Sequence, residues 1–293
     1  MPSFLARATR LFVNQVVKRQ LGPKVSIASQ RKRLDALQRV IPMPNGVKEE
    51  ECRLANIPAR SYTPAMDSGA ILYLHGGAYT IGSPVSHREL VARISRETEY
   101  KGYLIDYRLA PESLFPAAVE DALEAYIALL AEHQNIVVIG DSAGGGLTLA
   151  LMQAIRAGEY AEPSALVLLS PWADLTCSGN SIERCANIDP MLSVEWLRTS
   201  AKIYAGDQSL SHPQISPLFS DFKEYPRTLI QVGTDEILLD DARRVAYAIK
   251  QAGNEVVLQE FADMWHVFQI HGSYMPESRG AIRAIANFLK AEK

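Results

Sequence analysis

Short apolar runs alternate with longer segments of helical periodicity along most of this chain. Five runs are predicted to be buried strands, at residues 70–74, 103–107, 136–139, 166–169 and 228–232, and a further strand is predicted at 255–261. The intervening segments have the apolar spacing of helices, at residues 87–97, 116–132, 147–155 and 240–251. This alternation predicts an α/β fold, in which a mostly parallel central sheet has helices on both faces.

Two stretches depart from that alternation. Residues 47–55 and 59–63 are separated by Asn56-Ile57-Pro58, which predicts an antiparallel hairpin at the start of the sheet. Residues 175–222 form a long, weakly strand-forming segment punctuated by prolines, in which residues 193–204 have a helical pattern. This second stretch interrupts the repeated pattern of strand and helix.

Composition describes an ordinary globular chain. Its 293 residues are 47% hydrophobic and 22% charged, enough for one large core around a single sheet. A net charge of −3 gives no basic field for nucleic acid. Three cysteines without C-x-x-C spacing predict reduced thiols in a cytoplasmic protein, and a Cys177–Cys185 bridge remains the alternative.

The run at residues 136–139 ends in Gly140-Asp141-Ser142-Ala143-Gly144, directly before a helix-like segment. G-x-S-x-G at a strand-to-helix junction is the sequence form of a nucleophile elbow. The glycines let the backbone turn sharply, which exposes the serine at the top of a sheet beside a helix N-terminus. The pattern predicts Ser142 as a nucleophile, and the alternative is a glycine-rich turn that merely carries a serine.

The first strand of the alternation runs directly into His75-Gly76-Gly77-Ala78-Tyr79. Acyl transfer needs backbone N–H donors aimed at the oxyanion of the tetrahedral intermediate, and glycines permit that close approach. A loop of this HGGG type accompanies G-x-S-x-G in esterases and lipases. We predict that the N–H groups of Gly76, Gly77 and Ala143 form an oxyanion hole. Ala78 departs from the motif but keeps its own N–H.

Two later strands lead to groups that complete a catalytic triad. The fifth predicted strand is followed by Asp235 and Glu236, where a triad acid is expected. The last strand leads to His266, a base that can reach Ser142 and be oriented by the carboxylate. Of the six histidines, His266 alone follows a late strand and the acid at suitable range, and His271 is the alternative.

Together these motifs resemble the hormone-sensitive-lipase-like family of α/β-hydrolases, specifically its bacterial esterases. The resemblance covers roughly residues 40 to 290 in the family's order. It is carried by HGGAY from His75, YRLAPE from Tyr107, GDSAGG from Gly140, SPWADLT from Ser170, DPML from Asp189, SPL from Ser216, EILLDDA from Glu236 and WHVF from Trp265. The resemblance implies an α/β-hydrolase fold, a Ser142 nucleophile and a His266 base.

The resemblance also bears on the acid. One branch of the family reads D-P-L-x-D-E at this point and uses aspartate, whereas another reads E-x-L-x-D-D-A and uses glutamate. Residues 236–242 fit the second form without gaps. Glu236 is therefore predicted as the acid in preference to Asp235.

The N-terminal segment has two interpretations. Apolar residues alternate with Arg7, Arg10, Lys18 and Arg19 in an amphipathic pattern, which membrane-surface helices also have. The resemblance implies instead that residues 1–45 are cap helices over the active site, together with a cap insertion at 186–221. The α/β-hydrolase core is then predicted at residues 46–185 and 222–293. No run of eighteen apolar residues exists, so no stable membrane insertion is expected.

The predicted function is that of a serine carboxylesterase acting on small esters with short-to-medium acyl chains through an acyl-enzyme. An amidase or deacetylase on the same triad and a non-catalytic small-molecule receptor are the alternatives. No cofactor or metal is expected, and the resemblance implies a homodimer. The candidate pocket walls are Tyr79, Trp172, Met191, Tyr204 and Trp265, with packing in the core or cap as the alternative for each.

Overall fold

The computed structural model describes residues 1–66 and 68–291, and one eight-stranded sheet runs through it. Its strands are β1 (Val47–Leu54), β2 (Ile57–Pro64), β3 (Ala70–Leu74), β4 (Lys101–Ile105), β5 (Ile136–Asp141), β6 (Ala165–Leu169), β7 (Thr228–Gly233) and β8 (Val256–Phe261). Their order is β1-β2-β4-β3-β5-β6-β7-β8. Strand β2 pairs antiparallel with β1 and β4, and every other pair is parallel. The predicted α/β-hydrolase architecture is confirmed.

Helices connect these strands and precede them. They are α1 (Phe4–Phe12), α2 (Ile27–Arg39), α3 (Arg88–Thr98), α4 (Ala117–Leu130), α5 (Ala143–Ala157), α6 (Ser181–Arg184), α7 (Val194–Ala205), α8 (Leu239–Gln251) and α9 (Pro276–Lys290). Short π-helical and 3₁₀ turns continue α1 through Val13–Val17 and Lys18–Gln20. The connection between the two parallel strands β6 and β7 contains α6 and α7, within the stretch that interrupts the sequence pattern.

Both faces of the central strands are buried, because successive side chains point to opposite sides of a sheet. On β3, Ile71 and Tyr73 pack into a core with α3 and α9, whereas Leu72 and Leu74 pack into a larger core with α4, α5 and α8. Strand β3 therefore has no exposed side chain along its length. This explains its uninterrupted apolar sequence, which is typical of parallel strands covered on both faces.

Several elements differ in extent from their prediction, and β4, for example, spans Lys101–Ile105 where residues 103–107 were predicted. Ile57 and Pro58 belong to β2, so the hairpin turn is the tighter Ala55-Asn56, with Ala55 at φ 51°. Helix α5 begins at Ala143, four residues earlier than its apolar pattern indicates. Because glycine has low helix propensity, the run Gly144–Gly146 gave no sequence indication that the helix begins before residue 147. Packing requires these glycines, since a Cβ on Gly144 would lie 1.9 Å from the carbonyl oxygen of Leu74.

The N-terminal segment packs beside the loops that follow β7 and β8. Ala6 and Val13 on one side of the helical segment form a small core with Trp265 and Phe268. Arg10 donates hydrogen bonds to the side chain of Asp235, to the carbonyl of Asp263 and to the carbonyl of Ile188. The segment is thereby fastened to both loops.

Two further findings concern the described residues as a set. The cysteines Cys52, Cys177 and Cys185 are free thiols, so the alternative of a Cys177–Cys185 bridge is not realised. None of the helices in the described ranges is long and apolar enough to span a bilayer.

Candidate active site

Ser142 lies in a strained turn between β5 and α5. Its backbone has φ 54° and ψ −121°, a conformation that L-residues rarely adopt. The turn depends on close approach of the backbone, because a Cβ at Gly140 would lie 2.2 Å from the carbonyl oxygen of Gly144. Helix α5 begins at Ala143, so the N–H groups of its first turn have no partner within the helix. The sequence pattern at Gly140–Gly144 thus forms the expected elbow.

His266 and Glu236 meet at the same edge of the sheet. His266 follows β8 and Glu236 follows β7, and parallel neighbouring strands bring their carboxyl ends together. His266 Nδ1 lies 2.8 Å from Glu236 Oε2, with exposed fractions of 3% and 0% for the two residues. The carboxylate accepts a hydrogen bond from Nδ1–H, a pairing that leaves the lone pair on Nε2.

The electrostatics of His266 follow from this pairing. Burial lowers the pKa of the imidazole, but the hydrogen bond and negative charge of Glu236, together with the charges of Asp189 and Asp141, outweigh burial. The pKa of His266 is therefore raised above the ordinary histidine value of 6.5. A ring of this kind is a ready proton acceptor at neutral to alkaline pH.

Ser142 and His266 both line one mostly apolar cavity of about 60 Å³. Within the described residues, no hydrogen bond joins the Ser142 hydroxyl to the imidazole. Catalytic hydrogen bonds are often long or poorly aligned in free enzymes and tighten when substrate binds.

The HGGAY loop differs in one respect from its prediction. The N–H of Gly76, which the sequence predicts as an oxyanion donor, instead donates to Asp141 Oδ1 at 3.0 Å in the structure, so this group is already engaged. No hydrogen bond among the described residues uses the N–H groups of Gly77 and Ala78. Gly77 has φ 125°, and a Cβ there would lie 2.1 Å from the carbonyl oxygen of Ile81. The free donors in this loop are one residue further along than the sequence indicated.

The alternatives for acid and base lie elsewhere. Asp235 forms an ion pair with Arg10 at 2.6 Å. His271 Nδ1 lies 3.1 Å from the hydroxyl of Tyr274, and burial lowers its pKa to about 4. His271 is not among the residues that line the cavity with Ser142. Of these acid and base candidates, Glu236 and His266 are the two that contact each other in the described structure.

Two polar residues at the site were not singled out from the sequence. Ser170, at the end of β6, donates to Glu236 Oε1 at 2.8 Å and accepts from the N–H of Val267. The sequence could have indicated Ser170, because it follows a predicted strand, β6, that ends at the same edge of the sheet as β5 and β7. His87 lines the cavity, and its Nε2 lies 3.3 Å from Asp141 Oδ2. No sequence pattern identifies His87, because it precedes a helix that is distant along the chain.

The cavity walls are only partly those expected. Met191 lines the cavity, as predicted. The other four candidates, Tyr79, Trp172, Tyr204 and Trp265, are almost wholly buried in packing, the alternative stated for each. Tyr79 and Tyr204, for example, stack with ring centroids 3.8 Å apart. The apolar lining comes instead from the N-terminal segment, the β6–β7 connection and nearby loops: Leu21, Leu34, Ile81, Met191, Leu192, Trp196, Leu197, Val267 and Ile270.

The β6–β7 connection is anchored next to Glu236, the predicted acid. Asp189 accepts hydrogen bonds from the N–H groups of Met191 and Leu192, both at 2.8 Å, and from Ile237 at 3.0 Å. Ile237 directly follows Glu236, so one buried carboxylate ties a cavity wall to the loop of the acid. Within residues 1–66 and 68–291, no group of three or more His, Cys, Asp or Glu side chains could hold a metal ion.

Comparison with known proteins agrees with this geometry. Residues 71–270 match a family described as having the alpha/beta hydrolase fold. An acetyl-hydrolase of Streptomyces hygroscopicus is 41% identical over 231 residues, which cover 78% of this chain and 77% of that protein. An esterase of Acinetobacter venetianus is 35% identical over 260 residues, covering 87% and 86% of the two chains.

Solved structures resemble the whole chain. An esterase from the bacterial hormone-sensitive lipase family is 34% identical, covers 99% of both chains and superposes with a TM-score of 0.93. EstE5, in crystals soaked with p-nitrophenyl butyrate, is also 34% identical, covers 98% of both chains and has a TM-score of 0.92.

Proposed function

The chain belongs to the α/β-hydrolase fold family and, within it, to the bacterial hormone-sensitive lipase family, and on that premise we propose that Ser142, His266 and Glu236 form its catalytic triad. It is a serine hydrolase of the carboxylesterase class. The observation that carries the triad is the buried 2.8 Å contact between His266 and Glu236, at a cavity also lined by the strained Ser142.

In the proposed reaction, Ser142 Oγ attacks the carbonyl carbon of the ester while His266 Nε2 takes the hydroxyl proton. Glu236 holds the imidazole in the required tautomer and stabilises the imidazolium. The tetrahedral intermediate collapses to an acyl-enzyme, and His266 passes its proton to the departing alcohol. Water then attacks the acyl-enzyme with His266 as base, which releases the acid and restores Ser142.

For the oxyanion hole we propose the N–H groups of Gly77, Ala78 and Ala143. Those of Gly77 and Ala78 form no hydrogen bond with any described part of the chain. Ala143 opens α5, where the helix dipole favours negative charge. Gly76 has a different role in this proposal, because its bond to Asp141 fixes the loop against the residue that precedes Ser142.

Small esters with short acyl groups are the proposed substrates. A cavity of about 60 Å³ with a mostly apolar lining suits an acyl group of a few carbons. Leu21 and Leu34 contribute from the N-terminal segment, and Trp196 and Leu197 from α7. This supports the proposal that residues 1–45 and 186–221 act together as a cap over a core formed by residues 46–185 and 222–293.

The test is a panel of p-nitrophenyl esters with acyl chains of increasing length, assayed with the wild type and with Ser142→Ala. We expect the highest kcat/KM at short chains and no turnover by the variant. p-Nitroacetanilide serves as the matched amide, and its turnover at a rate comparable to that of the acetate ester would favour an amidase. Retained ester turnover in Ser142→Ala would refute the nucleophile.

A further inference from the structure

The N-terminal helical segment, Phe4–Gln20, has a second apolar side that no part of the described chain covers. One side carries Ala6 and Val13 into the core beside Trp265. On the other side, Phe4, Leu5, Leu11 and Phe12 have exposed fractions of 76%, 43%, 64% and 46%. Phe4, Ala8, Leu11 and Phe12 recur at the spacing of one helix face, and Leu5 lies at its edge. The exposed apolar side chains therefore form a continuous outward face.

Charge is distributed unevenly around this face. Residues 1–45 contain nine of the 30 Lys and Arg residues of the chain but only one of its 33 Asp and Glu residues, in a protein whose net charge is −3. The charged groups of Arg10, Lys18 and Arg31 form hydrogen bonds to other parts of the protein. Arg7 and Arg19 remain exposed along the helical segment itself.

We propose that this outward face docks on the surface of an anionic phospholipid bilayer. A single convex helix with large apolar residues on one face and basic residues at its margin has the form of an interfacial helix. The apolar side chains enter the boundary between headgroups and acyl chains, and the exposed arginines meet the anionic headgroups. The helix lies on the membrane and does not cross it.

A second copy of the chain is a poorer occupant of the same face. A symmetric contact through this helix would bring the exposed Arg7 and Arg19 of two copies together, with no acidic residue between positions 4 and 20 to pair with them. Like charges on both sides oppose that contact, whereas anionic headgroups complement the charge. The structure therefore favours a lipid surface over self-association.

Docking in this orientation places the active site close to the membrane. The helical segment continues directly into Leu21, which lines the cavity that contains Ser142. Apolar esters concentrate in bilayers, so a docked enzyme meets them at a shorter distance than a free one. Docking does not require turnover, so the docking proposal can be tested separately from the assignment of the triad.

The experiment is co-sedimentation of the full chain with vesicles of phosphatidylcholine alone or of phosphatidylcholine with one quarter phosphatidylglycerol. We expect binding to the anionic vesicles that decreases from 50 to 500 mM salt, and little binding to the neutral ones. The double variant Phe4→Ser/Leu11→Ser should bind at least about tenfold more weakly, because it removes the two most exposed side chains. Arg7→Glu/Arg19→Glu should weaken binding by roughly fivefold or more for each charge reversed.

The matched control is Tyr247→Ser/Lys250→Glu, which changes an exposed aromatic and an exposed basic residue on α8. It should bind as the wild type does, and all four proteins should have the same circular dichroism spectrum, which shows that they are folded. The proposal is overturned if the wild type stays in the supernatant, if neutral vesicles bind it equally well, or if the N-terminal variants bind like the control. A wild-type dimer that Phe4→Ser/Leu11→Ser converts to monomers would assign the face to a second copy instead.

Discussion

Replacing Glu236 by glutamine is expected to lower kcat/KM for a short p-nitrophenyl ester by about 10⁴-fold, although the side chain keeps its shape. Both carboxylate oxygens are used in the structure. Oε1 accepts from Ser170 Oγ at 2.8 Å and from the N–H of Gly233 at 2.7 Å, and Oε2 accepts from His266 Nδ1 at 2.8 Å. A glutamine keeps the first two bonds by placing its carbonyl oxygen at the Oε1 position, which turns its NH₂ group toward His266.

The tautomer of the imidazole then changes. An amide NH₂ donates and cannot accept, so Nδ1 must present its lone pair and the ring proton moves to Nε2. Nε2 can no longer take the proton of Ser142, and the general base is lost. Four decades in rate correspond to about 5 kcal/mol of transition-state stabilisation.

The pH profile provides a second readout. Catalysis needs neutral His266. Burial lowers the pKa of this histidine, but the bond to Glu236 and the negative charges around the ring raise it above 6.5. Wild-type kcat/KM should therefore fall as the pH decreases through a midpoint above 6.5. The neutral amide in Glu236→Gln removes the negative charge, so the midpoint of its residual activity should move to lower pH.

The assay is kcat/KM between pH 5 and 9, with circular dichroism to show that each variant is folded. Asp235→Asn is the matched control, because its carboxylate pairs with Arg10 at 2.6 Å, whereas the carboxylate that His266 bonds is that of Glu236. We expect this variant to retain kcat/KM within about tenfold of the wild type. If Asp235→Asn loses as much activity as Glu236→Gln, or more, the reasoning from the tautomer is refuted.

Three further outcomes are expected. Gly77→Ala should lower kcat by about 10²–10³-fold, because its Cβ would lie 2.1 Å from the carbonyl oxygen of Ile81 and displace the oxyanion donors. A rate near that of the wild type would mean that the donors lie elsewhere. Gly280→Ala on α9 meets no atom within 4 Å, so it should raise the free energy of unfolding in urea by about 0.5–1 kcal/mol, and a decrease would contradict this. Burial, reinforced by the charge of Asp174, raises the pKa of Asp241 to about 8. The folded state therefore holds this proton more tightly than the unfolded state does, and wild-type stability should fall as the pH rises from about 4 toward 8. Asp241→Asn has no proton to lose and should show a flatter dependence of Tm on pH; equal slopes in the two proteins would exclude Asp241 as the cause.

Local patterns determined the elements that position the site. Strand β5, the elbow at Ser142 and the strand-to-loop junctions before Glu236 and His266 depend on neighbours within a few positions along the chain. The alternation of strand and helix then restricts the sheet to mostly parallel connections. Parallel strands end at one edge, so the sequence alone brought the three triad candidates together, and the family motif favoured Glu236 over Asp235.

Contacts between distant residues decided the rest. The engaged state of the Gly76 N–H depends on Asp141, 65 positions away, and nothing in the HGGAY sequence distinguishes its donors. The true start of α5 depends on backbone atoms of β3 that a side chain on Gly144 would strike. The four aromatics that were expected at the pocket are packed in the interior, while Leu21 and Trp196 line the cavity. Periodicity tells which face of an element is buried, whereas the partner on that face is set by how the strands are ordered and the helices are packed in three dimensions.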